Sequence, residues 1–393
     1  MSRTVGNFLL CVVVAGGLAA CSSDESAAGS GVSRAQVVET YAANLAAGYA
    51  DSVADELAFQ ADVGAFLADP SEDNLGAVRS SWLSSRAHYM LTEGARFYGG
   101  PIDGEIDGAP NYEGRLNSWP LDEAFIDYTA QDDTAGIVNK PELLEDITAE
   151  GLDELNATMG DKDISSGYHA VEFLLWGQAL APVGPGERPA SDYSLDGPRA
   201  NVERRATYLK VAVEGIVANL SAVRDAWEPG ASYRSSFEKG SNESLTNMLT
   251  GLAKFSKGEL GSQRIGAAYT SKDRRDQHDC FSSETLVDYE RDARGIQAMY
   301  LGVYGDNDGA GLDDLVKAAD PALDADLKMK LQTTIDAIVA IPKPFEDAIA
   351  GDDESVGRQA IQKALDALNA QGDTFSLAAR AIGLTITVDD PAL

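Results

Sequence analysis

Apolar residues recur at intervals of three and four positions through most of this chain, and runs that alternate apolar with polar residues are few. That spacing collects apolar side chains on one face of an α-helix, whereas a half-buried strand needs alternation. The pattern therefore predicts an all-α protein. The candidate helices span about 34–67, 72–98, 140–155, 165–179 and 199–227 in the first half, and 241–269, 283–304, 311–350 and 354–382 in the second.

A break in the helical pattern divides the chain at 228–232, where Pro and Gly stand together. Four or five helices on either side, joined mostly by short connections, are typical of helical bundles. We therefore expect two packed domains of the four-helix-bundle type, at 34–228 and 229–393. Two segments rich in Gly, Pro and Asp, 99–123 and 183–198, are expected to be long ordered loops, which are common places for function.

The N-terminus carries an apolar run that ends in the sequence Leu-Ala-Ala-Cys at Cys21. The run is too short to span a membrane as a helix and is typical of an export signal. Leu-Ala-Ala-Cys resembles the bacterial lipobox, in which the cysteine becomes the lipidated first residue. We expect a lipoprotein signal peptide at 1–20, lipidation of Cys21 and a flexible tether at 21–33. A plain secretory signal is the alternative.

Ser22, rather than Asp, follows the lipobox cysteine. By resemblance to bacterial lipoproteins, this favours an outer-membrane anchor, with the protein facing the periplasm or the exterior. The chain has 63 acidic and 31 basic residues, and its formal charge of -32 repels nucleic acids and favours cations. Nucleic-acid binding is therefore excluded. Cys280 is the one cysteine left for the mature, unlipidated part of the chain, so no intramolecular disulfide is expected.

A histidine stands three residues before a glutamate in the apolar stretch 167–177. Helical neighbours at this spacing share one face, so His169 and Glu172 can converge on one point. Such a pair is a candidate metal-binding or acid–base site, or else a buried structural pair. Zinc proteases place a further histidine on the same helix. Here Phe173 follows Glu172, so the protease motif is incomplete.

Two other segments carry chemically active residues. The segment before 128 mixes aromatic, basic and acidic side chains more densely than solvation requires, although its aromatic residues can also close the end of a bundle. In the second half, His278 and Cys280 lie two residues apart with acids beside them. That spacing is compatible with a metal ligand pair or an activated thiol.

These segments together resemble the bacterial imelysin-like family of the iron-regulated lipoprotein type. The resemblance rests on Gly-x-His-x-x-Glu at 167–172, on 96–103 and 113–123, and on His-Asp-Cys-Phe-Ser at 278–282. It implies two packed helical bundles, an extracytoplasmic location, a link to iron acquisition and a site near the domain junction. Around His169 and Glu172, the supporting candidates are Arg96, Tyr98, Asp103, Arg115, Asn117, Trp119, Asp122, Glu123, Gly167, Trp176, His278 and Cys280.

The leading hypothesis is a lipid-anchored protein associated with iron uptake. Its site would bind iron, another divalent metal or an iron-containing ligand, and its partners would include iron-transport proteins. A metallopeptidase that uses His169 and Glu172 is the alternative, because the family carries a peptidase label. In a third interpretation the two residues form a structural pair, and the protein binds a partner through its surface.

Overall fold

The computed structural model describes residues 31–104 and 110–388. The predicted signal peptide, the lipidation site Cys21 and nearly all of the predicted tether lie outside these ranges. Within them the all-α prediction is confirmed, with one short antiparallel hairpin as the exception. The division of the chain at 228 stays a prediction.

The first half contains eight helices in its described part. They are α1 (Arg34–Ala68), α2 (Glu72–Thr92), α3 (Tyr112–Leu116), α4 (Glu123–Ile126), α5 (Gly136–Asn139), α6 (Ala149–Leu155), α7 (Gly167–Trp176) and α8 (Val202–Trp227), with a 3-10 turn at Ala190–Tyr193. The second half continues with α9 (Ser232–Lys239), α10 (Asn242–Lys254), a π-helical stretch (Phe255–Gly266), α11 (Ala267–Ser271), a 3-10 turn (Arg274–Asp276), α12 (Thr285–Leu301), strands β1 (Val303–Tyr304) and β2 (Asn307–Asp308), α13 (Leu312–Ala319), α14 (Pro321–Val339), α15 (Phe345–Ala350) and α16 (Val356–Ala381).

Helices α1, α2, α7 and α8 pack together as the first bundle. Helix α1 begins at a capping box, in which the Ser33 hydroxyl accepts from the Gln36 backbone and the Gln36 side chain accepts from the Ser33 backbone. Its inner face buries Tyr49, Phe59 and Phe66 completely. Burial stabilises the fold by about 1.5–3 kcal/mol for each large apolar side chain. The long helices are therefore held by packing rather than by local propensity.

Helix α8 is the one described helix that is long and apolar enough to cross a membrane by length and composition. Half of its apolar window is buried inside the protein, where α8 packs against α1 and α7. The core helix of a bundle has this same composition.

The second bundle is built from α10 with its π-helical continuation, α12, α14 and α16. Its α12 packs against α2 of the first bundle, so these two helices form the junction between the halves. The π-helical stretch carries Arg264 into this junction, where its side chain is 4% exposed. Wide π turns inside helical runs often occur at functional sites.

Three predicted helices differ clearly from the structure. The predicted helix 311–350 forms as α13, α14 and α15, with a break at Asp320 and another before Phe345. Helix α2 ends at Thr92 rather than near 98. The predicted helix 140–155 forms only as α6, because the Arg204 guanidinium donates to the backbone carbonyls of Ile137, Val138, Leu144 and Glu145. The carbonyls of Leu144 and Glu145 lie in the non-helical part of the predicted range, so tertiary contacts override the local helical pattern there.

Candidate metal centre

Helix α7 presents His169 and Glu172 from the core of the protein. All ten of its residues are buried. It begins at Gly167, whose φ of 87° is unfavourable for other residues, and a Cβ there would lie 2.4 Å from the Leu116 carbonyl oxygen. Just before it, the Ser166 hydroxyl donates to the Arg115 carbonyl at 3.1 Å. The close approach of α3 thus requires glycine at the start of the His169 helix.

Residues from the second half complete the group around His169. The His169 Nδ1 atom lies 3.2 Å from Glu172 Oε2 and 3.7 Å from Asp279 Oδ1. The His278 Nδ1 atom also lies 3.7 Å from Asp279 Oδ1, and the two imidazole rings are 4.5 Å apart between centroids. The Ser282 backbone N–H donates to Glu172 Oε1 at 2.7 Å, which fixes the carboxyl group. We call His169, Glu172, His278 and Asp279 the junction cluster.

Burial controls the protonation of the junction cluster. It lowers the pKa of His169 and of His278 well below the ordinary value, and neighbouring arginines lower both further. Burial raises the pKa of Glu172 to about 8 and, together with Asp288, raises that of Asp279 well above its usual range. The imidazoles are therefore neutral at pH 7, the form in which histidine binds metals.

A buried arginine flanks the cluster. The Arg86 guanidinium lies 2.6 Å from Asp288 Oδ2 and 3.6 Å from Asp279 Oδ1, and it donates to Asn117 Oδ1 at 3.2 Å. The Arg86 Cζ atom also lies over the aromatic ring of Tyr168, 4.8 Å from the ring centroid, in a cation–π contact. Arg86 on α2 and Asp288 on α12 thus tie the two halves together beside the cluster.

A second group of buried charges continues along the junction. Arg264 binds Glu93 and lies 3.0 Å from Asp292, while Arg96 lies 3.0 Å from Glu113 and 3.3 Å from Glu93. Although burial opposes it, Arg264 and Arg96 hold the pKa of Glu93 below its ordinary value. Removing one member of such a group leaves an unpaired buried charge, so the group fixes the junction geometry.

The junction cluster has the properties of a metal site. His278 Nδ1 and Asp279 Oδ1 are buried and lack a hydrogen-bond partner within the described ranges, and such atoms call for an explanation. Four tetrahedral ligands bonded at about 2.0–2.2 Å lie about 3.3–3.6 Å from one another. The His169–Glu172 distance of 3.2 Å and the distances of 3.7 Å from Asp279 to each histidine lie close to that range. Two imidazoles with carboxylates suit zinc, iron or related divalent ions rather than calcium.

Trp119 separates the cluster from an outer cavity. Its ring lies 5.1 Å from the His169 ring and 6.0 Å from that of Phe281. On the far side, a cavity of about 580 Å³ is lined by Trp119, Phe281 and several acidic residues, including Asp122 and Glu123. Burial raises the pKa of Glu123, whose carboxylate accepts from Gln178. The predicted residues Trp119, Asp122 and Glu123 therefore face this cavity.

The other predicted residues divide between the junction and its supports. Arg96 and Asn117 belong to the buried charge groups, and Gly167 shapes the start of α7. Trp176 packs on Trp82 at the end of α7. The remaining candidates lie outside the cluster. Asp103 accepts from the Phe97 backbone, Arg115 pairs with Asp153, and Tyr98 packs against the core. Cys280 is buried beside the outer cavity, and burial raises the pKa of its thiol.

The candidates from the sequence do not include several junction residues, among them Asp279, Arg86, Asp288 and Arg264. Asp279 stands beside the predicted His278, so adjacency was a usable signal. Asp288 and Asp292 are one helical turn apart on the buried face of α12, which is a second signal, since buried acids need partners. The arginines give no such local signal because their partners come from distant segments.

Residues 45–375 of the chain match the Imelysin family, a peptidase family by its label. This chain belongs to the Imelysin family. Among curated relatives, the imelysin chain is 26% identical to iron-regulated protein A of Synechococcus elongatus over 317 residues, covering 78% of this chain and 74% of the relative. These matches confirm the family resemblance that the sequence shows at 96–103, 113–123, 167–172 and 278–282.

Two crystal structures share the fold. An iron-regulated protein A precursor from Parabacteroides distasonis superposes with a TM-score of 0.69 at 21% identity, covering 89% of this imelysin chain and 95% of that protein. An imelysin-like protein from Psychrobacter arcticum gives a TM-score of 0.58 at 14% identity, covering 89% and 97%. These likenesses establish a common helical architecture.

Proposed function

We propose that this imelysin protein binds a divalent metal ion, iron before others, at the junction cluster. Two neutral imidazoles and the Asp279 carboxyl group converge there with ligand atoms within 4.8 Å of one another, and this convergence is the observation that carries the proposal. Glu172 lies 3.2 Å from the His169 Nδ1 atom and is the fourth candidate ligand. The name of the Synechococcus relative links that protein to iron regulation. The formal charge of -32 attracts cations to the surface.

Binding accounts for the site better than hydrolysis does. His169 and Glu172 are 0% exposed, His278 is 3% exposed and Asp279 is 1% exposed. Catalytic zinc sites keep an open position for water and substrate, whereas four protein ligands close the site. A peptide bond would reach this cluster only after the junction had opened. The peptidase label therefore does not decide the function of this chain.

Isothermal calorimetry with Fe²⁺ under anaerobic conditions, and with Zn²⁺ in air, tests the proposal. We expect one ion per chain for the wild type and loss of binding in His169→Ala and in Asp279→Asn. His88→Ala is the matched control, because His88 is the remaining histidine and lies outside the cluster, paired with Asp55 at 2.6 Å. Unchanged affinity in both cluster variants would remove the site assignment.

The cellular part of the proposal is a lipid anchor at Cys21 that holds the protein at the outer membrane, where it passes its metal or an iron-containing ligand to iron-transport proteins. The Leu-Ala-Ala-Cys sequence and the following Ser22 support the anchor. Membrane fractionation of cells that carry Cys21→Ala provides the test. The variant should leave the membrane fraction, and retention there would exclude this anchor.

A further inference from the structure

A second cavity lies at the junction, away from the metal centre. It encloses about 270 Å³ between α1 and α2 of the first half and α10, α12 and α13 of the second. Its walls are mainly apolar and include Leu45, Leu91, Met248, Met299 and Leu312. Small-molecule sites are typically apolar cavities of about 300–1,000 Å³ with a few placed polar groups. This cavity is close to the lower end of that range.

One wall of this cavity offers a hydrogen-bond donor. The Nδ2 atom of Asn44 is buried and has no partner within the described part of the chain. A buried amide donor of this kind costs stability unless an acceptor or water reaches it. Asn44 lies on the helical face of α1 that also supplies Leu45 and Tyr41 to the lining. An occupant with an acceptor atom would satisfy the amide.

The polar lining residues that reach solvent carry acidic partners. The His88 side chain is 39% exposed and pairs with Asp55 at 2.6 Å, and the Tyr304 hydroxyl donates to Asp51 at 2.7 Å. Carboxylates at this position disfavour an anionic occupant, and the apolar walls penalise a buried charge of either sign. The chemistry of the lining therefore selects a neutral molecule.

We infer that this cavity is a binding site for a small, neutral, mostly apolar molecule of one or two rings with one hydrogen-bond acceptor, which the Asn44 amide recognises. The site is independent of the proposed metal centre, because the two share no lining residue. Since both halves of the chain supply walls, the occupant contacts both of them.

Fluorescence titration of the full-length protein with prodan, a neutral naphthalene dye with a single carbonyl acceptor, tests the inference. The wild type should bind one dye per chain with saturation and a blue shift of emission. Ala298→Phe, which adds a ring from the α12 wall, should weaken binding at least tenfold. The matched control is Ala130→Phe, at an exposed position beside a different cavity, and it should bind like the wild type.

Asn44→Leu tests the recognition itself. Loss of the hydrogen bond should weaken binding by about fivefold to tenfold and move the emission of the bound dye further to the blue, a spectral change that altered folding alone does not produce. Circular dichroism checks that each variant is folded. The inference is overturned if the wild type shows no saturable binding, if folded Ala298→Phe binds like the wild type, or if bound dye emits identically in Asn44→Leu.

Discussion

Metal binding at the junction cluster should release protons. Burial raises the pKa of Glu172 to about 8, so most of this carboxyl group is protonated at pH 7. A cation must displace that proton before the carboxylate can act as a ligand. For the Glu172 proton alone, the apparent association constant should rise about fiftyfold between pH 6 and pH 8. The histidines add no protons in this range, because the pKa of each is lowered well below 6.5.

Calorimetry in two buffers with different ionisation enthalpies counts the released protons directly. The wild type should release close to one proton from Glu172 near pH 6, and more if Asp279 also ionises. Glu172→Gln removes one titrating group, so its affinity should be lower but should depend less steeply on pH. A wild-type affinity that is constant from pH 6 to pH 8, or equal pH slopes in the wild type and Glu172→Gln, would refute this reasoning.

Three further predictions concern stability. Burial raises the pKa of Glu56 to about 8, so the free energy of unfolding falls as pH rises from about 4.5 to 8. In urea titrations, Glu56→Gln should therefore be more stable than the wild type by about 3 kcal/mol at pH 7 and by little at pH 4. Gly167→Ala should lower both melting temperature and metal affinity, whereas Gly64→Ala, in open space on α1, should slightly raise melting temperature. Asp127→Ala removes the carboxylate shared by the buried Arg188 and Arg205 and leaves Arg188 only its longer contact with Asp192 at 3.4 Å. The free energy of unfolding in denaturant should fall by about 3–5 kcal/mol, and a fall below about 1 kcal/mol would contradict the role of these ion pairs.

The helical architecture could be predicted because its cause is local. Spacing of apolar residues identified all the long helices, and the start of α1 was placed at Arg34, where Ser33 caps it. The division of the predicted helix 311–350 at Asp320 has a local signal, because Asp320 caps α14 and Pro321 is its first residue. The error at 140–148 arose where distant contacts decide the backbone. No residue near 140–148 indicates that the Arg204 guanidinium, about sixty residues later, donates hydrogen bonds to the carbonyl groups of this segment. Periodicity cannot report such a contact.

The candidate metal centre could be predicted only in part, for the same reason. His169 and Glu172 share a helix, so their proximity follows from helical geometry. His278 and Asp279 reach the cluster only because the two halves of the chain pack together. The family resemblance suggested His278, but the spacing of residues along the chain cannot predict a contact between such distant segments. Cys280 was an equally reasonable candidate by sequence, but the structure places it in the wall of the outer cavity with Trp119 and Phe281.

The junction cluster joins segments that are far apart in the chain: the hydrogen bond from Ser282 to Glu172 alone spans 110 positions. A disulfide closing a loop of that length would stabilise a fold by about 4–5 kcal/mol by restricting the unfolded chain, yet the described part of this protein holds a single, unpaired cysteine. An ion held by His169 and His278 would be a reversible cross-link in the place of that covalent one. The rigidity of the molecule would then follow the supply of metal around the cell, tightening when the ion is plentiful and loosening when it is scarce.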